Sequence, residues 1–251
     1  MRTLKLTIEY DGTDLCGWQS QAGAANQPTV QENLEAALAQ VLQEEVRVHG
    51  AGRTDAGVHA RAQVAHIRTA NPLEVGKILR GVNTEMRRDI ALREVREVPE
   101  NFDARRSALR RHYRYLIWNA PAPSPLRARI SLHVRGRLNT ASMAEAARAM
   151  EGKHDFAVFR SSACTAERTQ RTMEVCRLRR RGELIVLDFV ARAFLHSQVR
   201  IMVGTLLEVG RGKRRAEEIA GLLQSGDRAQ AGATAPPHGL TLWGITYPPG
   251  V

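Results

Sequence analysis

With 251 residues, 43% of them hydrophobic and 25% charged, the chain can bury one large core or two smaller ones and has the composition of a soluble globular protein, which excludes collagenous, disordered and membrane-embedded classes. Its 37 lysines and arginines outnumber 26 acidic residues, for a formal charge of +11, and only four of the basic residues are lysines, so a polyanion is the first partner to consider. Arginine's planar fork of donors suits phosphate oxygens and stacked bases better than a lysine ammonium does.

From the amino end, Leu4, Leu6 and Ile8 alternate with polar residues and stop at Tyr10-Asp11-Gly12, the pattern of a half-buried strand running into a turn. That alternation is unlike a secretion signal, and the most apolar stretch, Leu184 to Leu195, is interrupted by Asp188 and Arg192, so no membrane anchor and a cytoplasmic location are expected. Thr29-Val30-Gln31-Glu32 is a capping box, after which Val30, Leu34, Ala37, Leu38, Val41 and Leu42 fall on one helix face. Strands over 45–49 and 61–68 flank the loop Gly50 to His59, and a helix near 72–81 and a strand near 89–97 complete the order β-α-β-β-α-β.

The second half repeats this order with longer connections. It has an arginine-rich strand at 111–118, an additional strand at 128–134, a helix at 140–151 and strands at 171–180 and 183–191. A helix with Val199, Met202, Val203, Leu206 and Leu207 on one side follows and is stopped by Gly210 and Gly212. A short helix around Ile219, Leu222 and Leu223 and a strand from Leu240 to Tyr247 close the chain; the Pro-rich segment 121–127 and the segment 225–239 read as loops. The expected class is therefore α+β: two tandem ferredoxin-like or RRM-like βαββαβ halves, 1–105 and 106–251, with abutting antiparallel or mixed sheets and a central cleft as the natural site.

Cys16, Cys164 and Cys176 form no C-x-x-C pair, so neither a zinc site nor a disulfide framework is indicated, and a reducing compartment fits. His59 and His66 lack the spacing and further ligands of a metal site, and no metal is expected. Trp18, Trp118 and Trp243 read as packing residues. The unusual stretch is His49-Gly50-Ala51-Gly52-Arg53-Thr54-Asp55-Ala56-Gly57-Val58-His59. It is not a dinucleotide fingerprint, because Asp55 occupies the third glycine position and a strand follows where a helix belongs. The phosphate-binding Walker pattern fails as well: Leu207 stands where its first glycine belongs and Arg214 follows Gly212-Lys213. The loop is either a tight turn whose Asp and Thr satisfy backbone donors, or a glycine turn presenting a carboxylate, with Arg53 two residues away to keep it ionised. An ionised Asp55 suits a nucleophile or base and not a general acid, and no second carboxylate nearby suggests a glycosidase pair.

Four blocks taken together, Tyr10-Asp11-Gly12-Thr13 with Gly17-Trp18-Gln19, the run Gly52 to His59, Arg111-His112-Tyr113-Arg114-Tyr115, and Phe194-Leu195-His196-Ser197-Gln198-Val199-Arg200, resemble the bacterial tRNA pseudouridine synthase A family, in order and over essentially the whole chain. The resemblance implies isomerisation of uridine to pseudouridine at positions 38, 39 and 40 of the tRNA anticodon stem-loop, by a homodimer that needs no metal or organic cofactor. By the same resemblance Asp55 is the catalytic aspartate, Tyr113 stacks on the target base and assists proton removal, and Arg53 and Arg200 line the site, Arg200 pairing with the aspartate. Gln19, Thr54 and His59 are implied as supporting residues. The residue set is compatible with the chemistry: uracil must leave C1′ through N1, turn, and rejoin through C5. A carboxylate can assist by adding to the sugar, adding to the base or abstracting a ribose proton. The target must be flipped out at a cost on the order of a few kcal/mol, which stacking on an aromatic ring and arginine contacts to phosphate can offset.

The chain departs from the family pattern in three places: Leu15-Cys16 stand where an aromatic residue is common, Met86-Arg87 where Leu-Pro is common, and Gln198 where methionine is common. Arg110, Arg111, Arg114, Arg177 and Arg179 to Arg181 can be solvated strand faces or phosphate contacts. Two other readings compete with the tRNA isomerase: a non-catalytic RNA-binding protein of duplicated RRM-like halves, and a pseudouridine synthase acting at another RNA position. Asp55 tells against the first, since a pure binder has no use for a carboxylate facing RNA, and the sheets lack the aromatic RRM motif.

Overall fold

A computed structural model of the chain describes residues 1–19 and 28–251, which divide into two compact units, Met1–Leu109 with Thr241–Val251, and Arg110–Leu240. The break falls just past the expected boundary at 105, and the last strand belongs to the first unit instead of the second. Contacts within the first unit explain that allegiance. The Leu109 N–H donates to the Thr246 carbonyl (2.8 Å), the Tyr247 hydroxyl donates to the Ala104 carbonyl (2.6 Å), and Ile245, Tyr247 and Val251 pack on a small core of Ala51, Val64, Phe102 and Ala104.

In the first unit, strands β1 (Arg2–Tyr10), β3 (His59–Thr69) and β4 (Ile90–Val98) pair antiparallel in the order β4-β1-β3, with helices α1 (Val30–Leu42) and α2 (Val75–Glu85) packed together. Leu4, Leu6 and Ile8 are fully buried, as their alternation requires. The outer edge of β3 is shared. Its first residues pair in parallel with β10 (Leu240–Thr246), His59 opposite Thr241, and its middle pairs antiparallel with β2 (His49–Gly50), His66 opposite His49. The capping box of α1 forms, with the Glu32 N–H donating to Thr29 Oγ1 (3.2 Å) and the Thr29 N–H donating to Glu32 Oε2 (3.1 Å).

Two expected elements here are corrected. The strand expected over 45–49 is reduced to His49–Gly50, because α1 side chains take its backbone groups: Glu35 Oε1 accepts from the Val48 N–H (3.0 Å) and Gln31 Nε2 donates to the Val48 carbonyl (3.1 Å). Helix α2 starts at Val75 and not near 72, since Asn71 closes a turn by accepting the Leu73 N–H through its side chain (2.7 Å).

The second unit is an antiparallel sheet in the order β5 (Arg110–Trp118), β9 (Leu184–Ala191), β8 (Gln170–Arg181), β7 (Gly152–Asp155), with α3 (Thr140–Arg148) packed on β8 and α4 (Gln198–Gly210). Helix α5 (Glu218–Ser225) buries Ile219, Leu222 and Leu223 as its pattern predicts. The strand expected at 128–134 survives only as β6 (Leu132–His133), beside β5, because the Ile130 and Ser131 N–H groups turn back onto the Arg127 carbonyl. Helix α3 stops at Arg148, short of 151, ahead of Gly152 at φ +104°. Strand β7, Gly-Lys-His-Asp, has no apolar alternation and gives no local signal. Helix α4 is buried on nearly every side and not on one face only. The segment beyond α5 crosses it, with the Gly232 N–H donating to Thr205 Oγ1 (2.9 Å) and the Ala235 N–H to the Arg200 carbonyl (3.1 Å). No helix among the described residues is long and apolar enough to cross a membrane.

Candidate active site

The Asp55 turn of the first unit is built by two chain segments lying backbone on backbone. Residues 12–18 run across 54–58: the Trp18 N–H donates to the Thr54 carbonyl (3.1 Å), the Gly57 N–H to the Leu15 carbonyl (3.3 Å) and the Gly12 N–H to His59 Nδ1 (3.0 Å). Such an approach leaves no room for side chains between the segments. A Cβ at Gly12 would lie 2.1 Å from the Val58 carbonyl oxygen, and one at Gly17, whose φ is +80°, would lie 2.4 Å from that of Thr54. The glycines of Tyr10-Asp11-Gly12-Thr13 and Gly17-Trp18-Gln19 are thus the reason these two blocks accompany the aspartate loop.

Side chains brace the same turn. Thr54 is buried and its hydroxyl meets that of Tyr10, also buried, at 2.8 Å. Gln63, fully buried on β3, donates to the Gly52 carbonyl (2.8 Å) and accepts from the Val64 N–H (3.1 Å). Trp18 is buried against Gly50, and Leu15 is buried beside Cys16, so Leu15 is a packing residue. Asp55 is half-buried at the apex, with its carbonyl accepting the Val58 N–H (3.1 Å), and Arg53 is exposed and donates through Nε to Gln19 Oε1 (2.9 Å).

His59 is buried, and its Nδ1 lies 3.0 Å from the Gly12 nitrogen and 3.1 Å from Asp11 Oδ1. One ring nitrogen cannot accept from the amide and donate to the carboxylate in the same tautomer. The amide can only donate, so the acceptor form of Nδ1 is the one the backbone selects. In either form His59 is a strut between β3 and the 11–13 turn. Five of the expected residues, Gln19, Arg53, Thr54, Asp55 and His59, therefore belong to one braced loop cluster.

The other two stand in the second unit. Tyr113 on β5 is 9% exposed, with its ring edge-on to Phe194 at 5.1 Å, and Tyr115 on the same strand face is fully buried with its hydroxyl donating to the Pro236 carbonyl (2.8 Å). Burial pushes the Tyr115 phenol up from its ordinary value. Tyr115 is thus a core residue. Arg200 on the first turn of α4 is half-buried and donates through Nε to the Ala235 carbonyl (2.8 Å), which fixes its stem. Gln198 is buried, and its Oε1 accepts the Leu195 N–H (2.8 Å) at a helix start whose Ser197 is left-handed, with φ 56°.

Sequence reasoning missed the braces Tyr10 and Gln63, and it missed Asp188. On the face of the second sheet opposite Tyr113, Asp188 accepts from His112 Nε2 (2.7 Å), Arg114 Nε (2.8 Å) and Arg179. Burial alone would raise this carboxyl, but the three donors outweigh it and hold it well below the usual carboxylate range. The one signal was that Asp188 interrupts an apolar run. Trp118 and Trp243 also do more than pack, since the guanidiniums of Arg127 and Arg61 lie over their rings at 5.1 Å and 4.6 Å. No cluster of three or more metal-ligating side chains occurs among the described residues.

A braced glycine turn presenting a half-buried aspartate, in an arginine-rich α+β protein, is compatible with an enzyme that acts on a polyanion, and comparison with known proteins gives the class. The family model described as tRNA pseudouridine synthase matches residues 6–105 and 146–248. The chain is 47% identical to tRNA pseudouridine synthase A of Pelobacter propionicus over 247 residues, which span 98% of this chain and 100% of the relative. The corresponding enzyme of Geotalea uraniireducens is 45% identical, with the same coverage, and that of Mesorhizobium japonicum is 44% identical over 99% of this chain and 100% of the relative. The chain belongs to the tRNA pseudouridine synthase family and is an isomerase that converts uridine to pseudouridine in tRNA. The reading as a non-catalytic RNA binder is set aside by this membership.

Proposed function

We propose that the enzyme acts on uridines 38, 39 and 40 of the tRNA anticodon stem-loop as a homodimer, without a metal or organic cofactor, and that Asp55 is its catalytic carboxylate. The observation that carries the assignment of Asp55 is the turn itself: two glycine contacts, the Tyr10–Thr54 hydroxyl pair and the Gln63–Gly52 bond all hold the backbone on either side of this one acidic residue. Strands and loops that only pack do not need such preorganisation, whereas a carboxylate that must meet a flipped-out nucleoside at C1′, C2′ or a ring carbon does. Tyr113 supplies an aromatic surface for the target base, Arg53 and Arg200 contact the substrate around it, and Gln19 orients Arg53. The β4-β1-β3 order of the first sheet, with β2 on the far side of β3, supports a ferredoxin-like reading of the first half.

The test incubates an unmodified tRNA transcript carrying uridines at 38 to 40 with the purified protein and a chelator, and maps pseudouridine by carbodiimide-dependent primer-extension stops. Stops at 38 to 40 with the wild type, and none with Asp55→Asn although that variant still binds the transcript, are the expected result. Stops at other positions would move the target, and turnover by Asp55→Asn would remove the aspartate from the chemistry. Sedimentation of the active enzyme as a monomer would refute the homodimer.

A further inference from the structure

Several arginines of the second unit are neutralised by neighbours: Arg110 pairs with Glu174, Arg114 and Arg179 with Asp188, Arg177 with Glu151, Arg214 with Glu208 and Arg215 with Glu218. A surface cavity of about 720 Å³ breaks this pattern. Three of its lining residues, Arg137, Arg180 and Arg211, are exposed arginines that make no ion pair among the described residues; there Arg180 bonds to neutral acceptors, the Asn119 side chain (3.2 Å) and the Gly182 carbonyl (2.9 Å). No carboxylate among the described residues lines the cavity.

The backbone around the cavity is electropositive as well. Helix α3 starts here, and the side chain of its cap, Asn139, accepts the Ser142 N–H (3.2 Å) while its carbonyl accepts the Met143 N–H (3.1 Å), so among the described residues the N–H groups of Thr140 and Ala141, both lining the cavity, have no helical carbonyl partner. Helix α4 ends at the same place, but its last carbonyls are spent. Leu207, Glu208, Val209 and Gly210 accept from the N–H groups of Arg211, Lys213, Gly212 and Asn139 respectively. Three arginines and a helix start therefore line one cavity, and Arg135, Arg181 and Lys213, exposed and also without an ion pair among the described residues, neighbour the lining residues in sequence.

We propose that this cavity binds a phosphate group of the tRNA backbone, a contact separate from the Asp55 turn. The proposal rests on tRNA being the substrate. A tetrahedral oxyanion matches guanidinium forks and helix-start amides, and the volume exceeds what a lone phosphate fills and admits the flanking sugars.

The test titrates a fluorescently labelled, unmodified tRNA transcript with the full-length protein at several salt concentrations, for the wild type, Arg137→Ala/Arg211→Ala and Arg137→Lys/Arg211→Lys. Both arginines are exposed and have no side-chain hydrogen bond among the described residues, and thermal melting of each variant checks that it folds. The alanine pair should weaken binding roughly tenfold at low salt and make the slope of log affinity against log salt shallower by about 1, the signature of one lost phosphate contact. The lysine pair should recover much of the affinity because the charge is kept. Unchanged affinity and slope in the alanine pair overturn the proposal. A second arm titrates inorganic phosphate into wild type and alanine pair by calorimetry: phosphate binding lost in the variant while tRNA affinity stands would make this a free-anion site and also overturn the RNA assignment. A wild type that does not bind the transcript refutes the substrate reading itself, a result read without any variant.

Discussion

Replacing Gly17 by alanine should slow pseudouridine formation by displacing the Asp55 turn, and Gly136 provides the matched control. The two glycines have φ of +80° and +81°, so alanine incurs the same left-handed backbone penalty at both. That penalty is on the order of 1–2 kcal/mol. Reduced freedom of the unfolded chain offsets it by about 0.4–1 kcal/mol. A Cβ at Gly136 meets nothing within 4 Å, whereas at Gly17 it would stand 2.4 Å from the Thr54 carbonyl oxygen and 3.0 Å from the Asp55 carbonyl carbon. Real Cβ contacts stay above 3.0 Å, so the Thr54–Asp55 peptide must retreat by about 0.6 Å, the difference between 3.0 and 2.4. A misplacement of about 1 Å can reduce a rate by roughly a hundredfold, and about half that distance implies a loss on the order of tenfold. The assay is single-turnover pseudouridine formation on an unmodified transcript, with tRNA affinity and melting temperature measured beside it. Gly136→Ala should melt about 2–4 °C lower with near-normal turnover. Gly17→Ala should in addition lose on the order of tenfold in rate, with affinity within about twofold of the wild type. Equal turnover in the two variants would refute the argument that Gly17 positions Asp55.

Two further predictions concern the second unit. Asp188→Asn should destabilise it by about 3 kcal/mol, the low end for breaking a buried ion pair, because His112 and Arg179 can still reach water. The pH sign follows from the depressed folded-state pKa: the contribution is fully present above the unfolded carboxylate value near 4 and is lost as pH falls toward the lower folded value. Urea midpoints should therefore separate wild type and variant by a constant amount from pH 7 to about pH 5 and converge in more acid solution, and a gap that widens in acid would contradict the assigned network. Gln198→Met should cost about 1–3 kcal/mol by leaving the buried Leu195 N–H without its acceptor. An unchanged denaturation midpoint would show that water or a neighbour takes over that bond.

The parts of this protein that follow short-range rules were legible residue by residue. The alternation of β1, the Thr29–Glu32 box and the arginine-rich β5 each depend on neighbours within one turn or one strand, and each formed where expected. Departures arose where a distant group competed for the backbone. Glu35 and Gln31 took the groups of 45–48 from the sheet, Arg127 held 130–131 in a turn, and the crossing of 232–235 buried the second face of α4. Strand β7 had no signal because its stability comes from pairing with β8, not from its own composition.

The same division applies to the site and to the chain as a whole. The family is legible in one dimension, because the order Tyr-Asp-Gly-Thr, Gly-Trp-Gln and Gly-Arg-Thr-Asp-Ala-Gly-Val-His survives without coordinates. The fold in three dimensions explains why those blocks travel together. Gly12 and Gly17 are required by a backbone 2.1–2.4 Å from where their Cβ atoms would be, an approach between residues some forty positions apart that no local propensity encodes. It likewise decided which arginines remain available to an anion. Charge is a property of composition, but neutralisation depends on which carboxylate the fold brings within reach, and Asp188 claims Arg114 and Arg179 while Arg137, Arg180 and Arg211 form no ion pair among the described residues.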